Sequence, residues 1–157
     1  MNDEGLSLIV QNIVSLLFPL TLIFAFYIII FGHVTPGGGF QGGAVGASAV
    51  VMLIVAFGAK KIHGKMSHDN MSIFESTGAL IFILTGLIGL IVASTFLSNF
   101  LVGEPLFGEI PPWGSNPGIL NSGGILPILN IAVGMKVIAG LSAIVLLMAL
   151  TMEGKKK

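Results

Sequence analysis

Four long apolar runs alternate with short polar or glycine-rich breaks along this chain. They cover 8–31, 40–59, 74–100 and 125–152. A run of 18 or more apolar residues is long enough to cross the hydrocarbon core of a bilayer as a helix. The pattern therefore predicts an all-α integral membrane protein with four transmembrane helices, forming a single membrane domain over 1–157. Composition agrees, since 54% of residues are hydrophobic and only 9% are charged, far more apolar surface than a soluble domain of this size buries. The first run is too long for a signal-peptide core, has no basic residue before it and lacks a cleavage pattern, so it reads as a retained span.

The charged positions orient these spans. All seven basic residues are lysines. Lys60, Lys61 and Lys65 lie between spans two and three, and Lys155, Lys156 and Lys157 follow span four. The other two connections carry none. Lysine accumulates on the cytoplasmic side of short loops, which predicts an N-in/C-in plasma-membrane protein. The break at 33–39 and the long loop 101–124, with Glu104, Glu109 and Trp113, then face outward, and Tyr27 suits an interfacial aromatic position. The long loop has four prolines and several glycines, too many breakers for a helix. It reads either as a segment lying over neighbouring helices or docking on a partner, or as a mobile linker.

Between spans one and two runs Pro36-Gly37-Gly38-Gly39-Phe40-Gln41-Gly42-Gly43. Proline disfavours helix at the residue before it, and each interior glycine costs a helix about 1 kcal/mol relative to alanine. A helix must nevertheless resume at once. Gly38, Gly42 and Gly46 recur every four residues, as do Gly39, Gly43 and Ala47, so each set lies along one helix face. Such small-residue ridges let helix backbones approach closely. The same ridge can instead expose carbonyls to an ion path. Phe40 reads as a plug that packs into a neighbour. Gln41 can bond backbone groups freed where the helix starts.

Few residues can carry chemistry. His33 sits at the end of span one, where a histidine either bonds the last carbonyls of its helix or relays protons. His63 and His68 lie among lysines on the other side, so the three histidines make no metal or haem site, and no cofactor is expected. The chain has no cysteine, which excludes disulfides and thiolate-bound iron–sulfur clusters. A net charge of zero disfavours a nucleic-acid partner. Lys136 stands out as the twelfth residue of span four, about 16 Å from its outer end. A lysine near the bilayer centre costs about 3 kcal/mol or more, and such residues are usually functional. Its helix face also carries Ala132, Ala139, Gly140 and Ala143, which points to protein packing. Asn130 can bond across helices. Glu75 reads as part of a Ser72–Glu75 capping box at the start of span three, leaving Lys136 to find a carboxylate on another subunit, or water and carbonyls. Pro19 is expected to kink span one.

Gly32-His33, the Pro36–Gly43 motif and the later Ser122-Gly123-Gly124, Pro127, Asn130, Gly134-Met135-Lys136-Val137 and Gly140-Leu141 resemble the MnhB/MrpB subunit family of multisubunit sodium/proton antiporters. The resemblance implies a small four-helix subunit that works only within a large membrane complex, beside other membrane subunits, with Na+ and H+ as the transported ions. The same module occurs in archaeal membrane-bound hydrogenases and related sulfur-reducing complexes, where the redox chemistry belongs to other chains. Three classes are then in play: an ion-translocation subunit with Lys136, His33, Asn130 and the 36–41 segment at an interface; a purely structural subunit; and a stand-alone membrane enzyme. The last is the poorest, because no nucleophile lies beside a base and no paired intramembrane acid is present.

Cysteines placed at Gly118 and Lys156 of this cysteine-free chain are expected to react with an impermeant thiol reagent from opposite membrane faces. Labelling of both from one face contradicts the four-span arrangement.

Overall fold

The computed structural model describes residues 5–111 and 116–154, with the side chains of His68 and Glu153 excepted. Trp113 and the lysines at 155–157 lie outside the described residues. The described residues form five helices: α1 (Leu8–Ile30), α2 (Gly39–Phe57), α3 (Ala59–Lys65), α4 (His68–Ala93) and α5 (Leu126–Gly154). All but α3 are long and apolar enough to span a membrane. Among the described residues there is no strand, only one isolated parallel bridge between Glu109 and Ser122.

Helix α2 packs between α1 and α5, and α5 packs between α2 and α4. This puts α1 and α4 at the ends of the row. The burial follows that order. In α2, 44% of its most apolar 18-residue window is buried, against 11% in α1. The glycines of α2 make this enclosure possible. A Cβ on Gly42 would fall 2.5 Å from Ile29 Cγ1 and 2.8 Å from the Ala25 carbonyl of α1. One on Gly43 would fall 2.6 Å from Val137 Cβ of α5, and one on Gly46 2.8 Å from Ile138. Both small-residue ridges are therefore spent on contacts within this chain: Gly39 and Gly43 face α5, Gly42 faces α1, and Gly46 lies between the two.

A compact cluster of Val50, Ile54, Ala59, Ile62, Met71 and Leu146 closes the end of the bundle where α2 stops and α4 starts. It explains α3, a helix in the region expected to be a loop. Gly58, at φ +87°, ends α2 and turns the chain. Ala59 and Ile62 then bury into the cluster while Lys60, Lys61 and Lys65 stay exposed. The segment before α1 docks on the same end, with the Leu6 amide donating to the Ala56 carbonyl at 2.9 Å.

The third span departs from the expected 74–100. The Ser67 hydroxyl accepts from the Asp69 amide at 3.4 Å and caps the helix, which starts at His68 with Asp69 in its first turn. A helix N-terminus favours such an acid. The helix ends at Ala93, because Ser94 is left-handed at φ 59°. Residues 94–100 fold back along α4, with the Phe96 ring covering Gly86 and Ser98 lying against Gly89. The Ser72–Glu75 capping box is thus not the helix start. Glu75 sits seven residues inside α4, about 10 Å from its beginning.

Close backbone approach is the feature most exposed to substitution. Gly42→Leu or Gly43→Leu is expected to cost at least about 2 kcal/mol of stability in detergent, as overpacking against backbone does. Gly64→Leu, where no atom lies within 4 Å of an added Cβ, is the control and is expected to melt close to wild type. Equal melting of all three would show that the ridge contacts are absent in the membrane protein.

Candidate functional site

The antiparallel pair α4 and α5 brings together Glu75 and Lys136, charged residues inside the third and fourth candidate membrane spans. Lys136 Nζ is 3.0 Å from Glu75 Oε1, both a hydrogen bond and an ion pair. Lys136 therefore has a carboxylate partner in its own chain, contrary to the expectation that none was within reach. Glu75 is near because α4 starts at His68, six residues earlier than the apolar run implies. Lys136 lies ten residues into α5, about 15 Å from the start of that helix at the other membrane face. Both residues therefore lie well inside helices long and apolar enough to span a membrane.

Glycine sets the geometry of this pair too. A Cβ on Gly78 of α4 would fall 2.5 Å from the Ala132 carbonyl and 3.0 Å from the Lys136 amide nitrogen. The two backbones thus touch one turn from Glu75. Gly140 on α5 leaves room beside the Glu75 carboxylate, which lies 3.6 to 3.7 Å from where its Cβ would be. The pair is not enclosed. The side chains of Lys136 and Glu75 are 52% and 39% exposed at the surface of the chain.

The glycine-rich turn lies at the opposite end of the bundle from the α3 cluster. Gly37 (φ 152°) and Gly38 (φ 138°) occupy backbone conformations that side chains resist, which is why the chain can turn sharply from α1 into α2. Gly39, the first residue of α2, donates its amide to Asn130 Oδ1 at 3.3 Å. Asn130 thus ties the start of α2 to α5, a job expected of Gln41. Gln41 itself is exposed, as are Pro36 and Gly37. A Cβ on Gly32 would meet Gly38 and the Asn130 amide, so three elements converge there. Phe40 is 65% exposed, so any neighbour it packs into belongs to another molecule.

His33 does not bond the carbonyls of its own helix. Its Nε2 donates to the Leu120 carbonyl in the loop between α4 and α5 at 3.1 Å, and its ring packs on Gly123. Its Nδ1 is buried with no partner among the described residues. The histidine lines a cleft of about 280 Å³ with Phe107, Leu120, Asn121, Pro127 and Ile131.

The described part of the loop between α4 and α5 is organised by asparagines that sequence reasoning left aside. Asn99 Oδ1 accepts from the Ile125 amide at 2.9 Å while its Nδ2 donates to Gly123 O. Asn121 Oδ1 accepts from the Phe107 amide at 2.7 Å while its Nδ2 donates to Pro105 O. Asn116 holds the amides of Gly118 and Ile119. Of the two readings of this loop, the segment lying over helices is the one the structure adopts where it is described. The signal was present in the sequence, since asparagine side chains mimic backbone turns, but the partners of Asn99 and Asn121 are 14 to 26 residues away. Among the described residues no group of three His, Cys, Asp or Glu could hold a metal.

Residues 9–143 match the family described as a domain related to the MnhB subunit of Na+/H+ antiporter. The chain is 39% identical over 120 residues to an uncharacterised protein of Methanocaldococcus jannaschii, a match covering 75% of this chain and 43% of that one. It is 32% identical over 100 residues to a Na(+)/H(+) antiporter subunit of Bacillus subtilis, covering 63% of this chain and 69% of the other. In structure it superposes on a chain of the membrane-bound sulfane sulfur reductase, an archaeal respiratory membrane complex, with a TM-score of 0.72 and 36% identity. That match covers 91% of this chain and 58% of the other, so the archaeal relatives are considerably longer. With four membrane-length helices and this match over most of its length, the chain is a multi-pass plasma-membrane protein belonging to the MnhB-related family.

Proposed function

We propose that this chain is a small, non-catalytic membrane subunit of a multisubunit cation/proton antiporter module, and that it contributes to Na+ and H+ translocation where it meets its neighbours. The module is either a free-standing antiporter, as the name of the Bacillus subtilis relative suggests, or part of an ion-pumping respiratory complex such as the sulfane sulfur reductase. Any redox chemistry resides in other chains.

The observation that carries this reading is the Glu75–Lys136 pair. It lies at membrane depth, yet about half of the lysine side chain faces outward. Hydrocarbon is a costly environment for such a pair, because desolvation is recovered only when further hydrogen bonds surround both charges. The exposed side therefore meets protein or water in the assembled complex. There the pair can respond to an ion. A proton or cation arriving at Glu75 weakens its hold on Lys136, and the released ammonium becomes available to a carboxylate of the adjoining subunit. Asn130, His33 and the 36–41 segment fix the outer ends of α2 and α5, and so the tilt at which Lys136 is presented.

A second reading, a structural subunit that only holds neighbours in register, is favoured by the exposed Phe40 ring, which has only another molecule to pack into. Ion-dependent proton movement in vesicles, with complex abundance checked on native gels, separates the two. Lys136→Ala is expected to assemble and to lower transport about tenfold or more, equivalent to about 1.4 kcal/mol at the barrier. Lys136→Arg is expected to restore it only in part, since arginine does not deprotonate and has a different shape. Glu75→Gln combined with Lys136→Ala is expected to be no worse than the single variants, as for residues acting as one unit. Normal transport by an assembled Lys136→Ala complex would leave the structural reading.

A further inference from the structure

We infer that the fold-back after α4 is a plug that closes the Glu75–Lys136 edge toward the end of the bundle opposite α3, with the Phe96 ring as its seal. The plug rests on the proposed role of that pair and controls access to the same site. Gly86 follows Glu75 by eleven residues in α4. Eleven residues make three turns with about 20° left over, so both lie on one face of the helix, about 16 Å apart along it. Ala79 and Phe82 lie on that face between them. The fold-back covers its far end. A Cβ on Gly86 would meet three atoms of the Phe96 ring, the nearest at 2.5 Å, and one on Gly89 would fall 2.9 Å from the Ser98 amide nitrogen. The Leu97 amide donates to the Gly86 carbonyl at 3.4 Å. Asn99 then accepts from the Ile125 amide at 2.9 Å, so the segment crosses from α4 to the start of α5.

The local sequence does not demand this break. Residues 91–100 contain neither glycine nor proline, and their apolar run continues that of α4. Yet Ser94 and Leu97 both turn left-handed at φ 59°. A leucine stays in that region only where its surroundings hold it. Here the ring seated on Gly86 and the Asn99 clasp on α5 do so. The two approaches to Glu75 also differ. Toward α3, the next residue on its side of the helix is Ser72, polar and exposed. Away from α3, the face is apolar and ends under Phe96. An aromatic ring offers an ion no replacement for its water, so passage beneath it is costly. Phe96 is 54% exposed. One side of the ring covers Gly86, and the other faces outward, where the adjoining subunit of the proposed function completes the seal. While the plug is seated, an ion reaches the pair from the α3 end only.

The test measures passive proton leak through the purified complex in proteoliposomes, after an imposed pH jump and without a coupling cation. Gly86→Ala adds a methyl group whose three nearest atoms all belong to the Phe96 ring. It lifts the ring while giving α4 a better helix former. The leak is expected to rise about tenfold, as it does when a barrier falls by about 1.4 kcal/mol. Phe96→Ala is expected to do the same, and Phe96→Leu, which keeps apolar bulk, to stay close to wild type. Adding Glu75→Gln is expected to remove the leak, because the protons then lose their site. Native gels check that each variant assembles. Assembled Gly86→Ala and Phe96→Ala complexes as tight as wild type overturn the plug, and so does a leak that survives Glu75→Gln. Loss of assembly by both variants makes the fold-back a strut and overturns it as well. The proposed role of the pair fails separately, through normal coupled transport by Lys136→Ala.

Discussion

Helix α5 is held at backbone distance on two sides, and the rest of the molecule follows from that constraint. On one side Gly39 and Gly43 of α2 lie against Asn130, Gly134 and Val137. On the other, Gly78 of α4 lies against Ala132 and Lys136. Within a bilayer no hydrophobic driving force presses helices together, since lipid tails are as apolar as leucine. Contacts of this kind, with hydrogen bonds across helices, supply the association instead. The three-helix contact fixes the rotation of α5. It turns Ala132 and Ala139 inward and leaves Lys136 at the α4 edge, where Glu75 reaches it.

The spans were legible in the sequence because bilayer thickness imposes their length. The end of α1, the restart at Gly39 and the start of α5 all fall within a residue or two of the apolar boundaries. The third span was misread for a physical reason. Hydrophobicity marks where a segment crosses lipid, whereas hydrogen bonding marks where a helix starts. Ser67 caps a polar first turn that precedes the apolar run. Ser72 and Glu75 mimic the same local motif, and choosing it moved the carboxylate out of the hydrocarbon. The resulting conclusion, that Lys136 lacked a partner in this chain, was an error of six residues in one helix start.

Other features were illegible because they depend on non-local partners. His33 could be read only against its own helix, yet its partner is Leu120, 87 residues away. Asn99 and Asn121 read as ordinary loop residues until the amides they serve are brought to them. Short α3 carries too little local signal, being formed around Ala59 and Ile62 once the cluster with Leu146 exists. The small-residue ridges read as packing surfaces in the sequence, which could not say that α1 and α5 of this same chain are what they meet. Under the proposed role, that finding narrows the interfaces available to other subunits. They fall to the exposed sides of α1 and α4, to Phe40, and to the edge where Glu75 and Lys136 meet.

That edge is where the account is most open to refutation. A photo-crosslinking residue at Ala79, one turn along α4 from Glu75, reports what lies beside the pair in native membranes. The account predicts a covalent adduct with a second membrane subunit, which depends on the complex being intact. Adducts with lipid alone, in membranes where the complex is shown to be assembled, would place the pair against the bilayer and contradict the interface on which the proposed role rests.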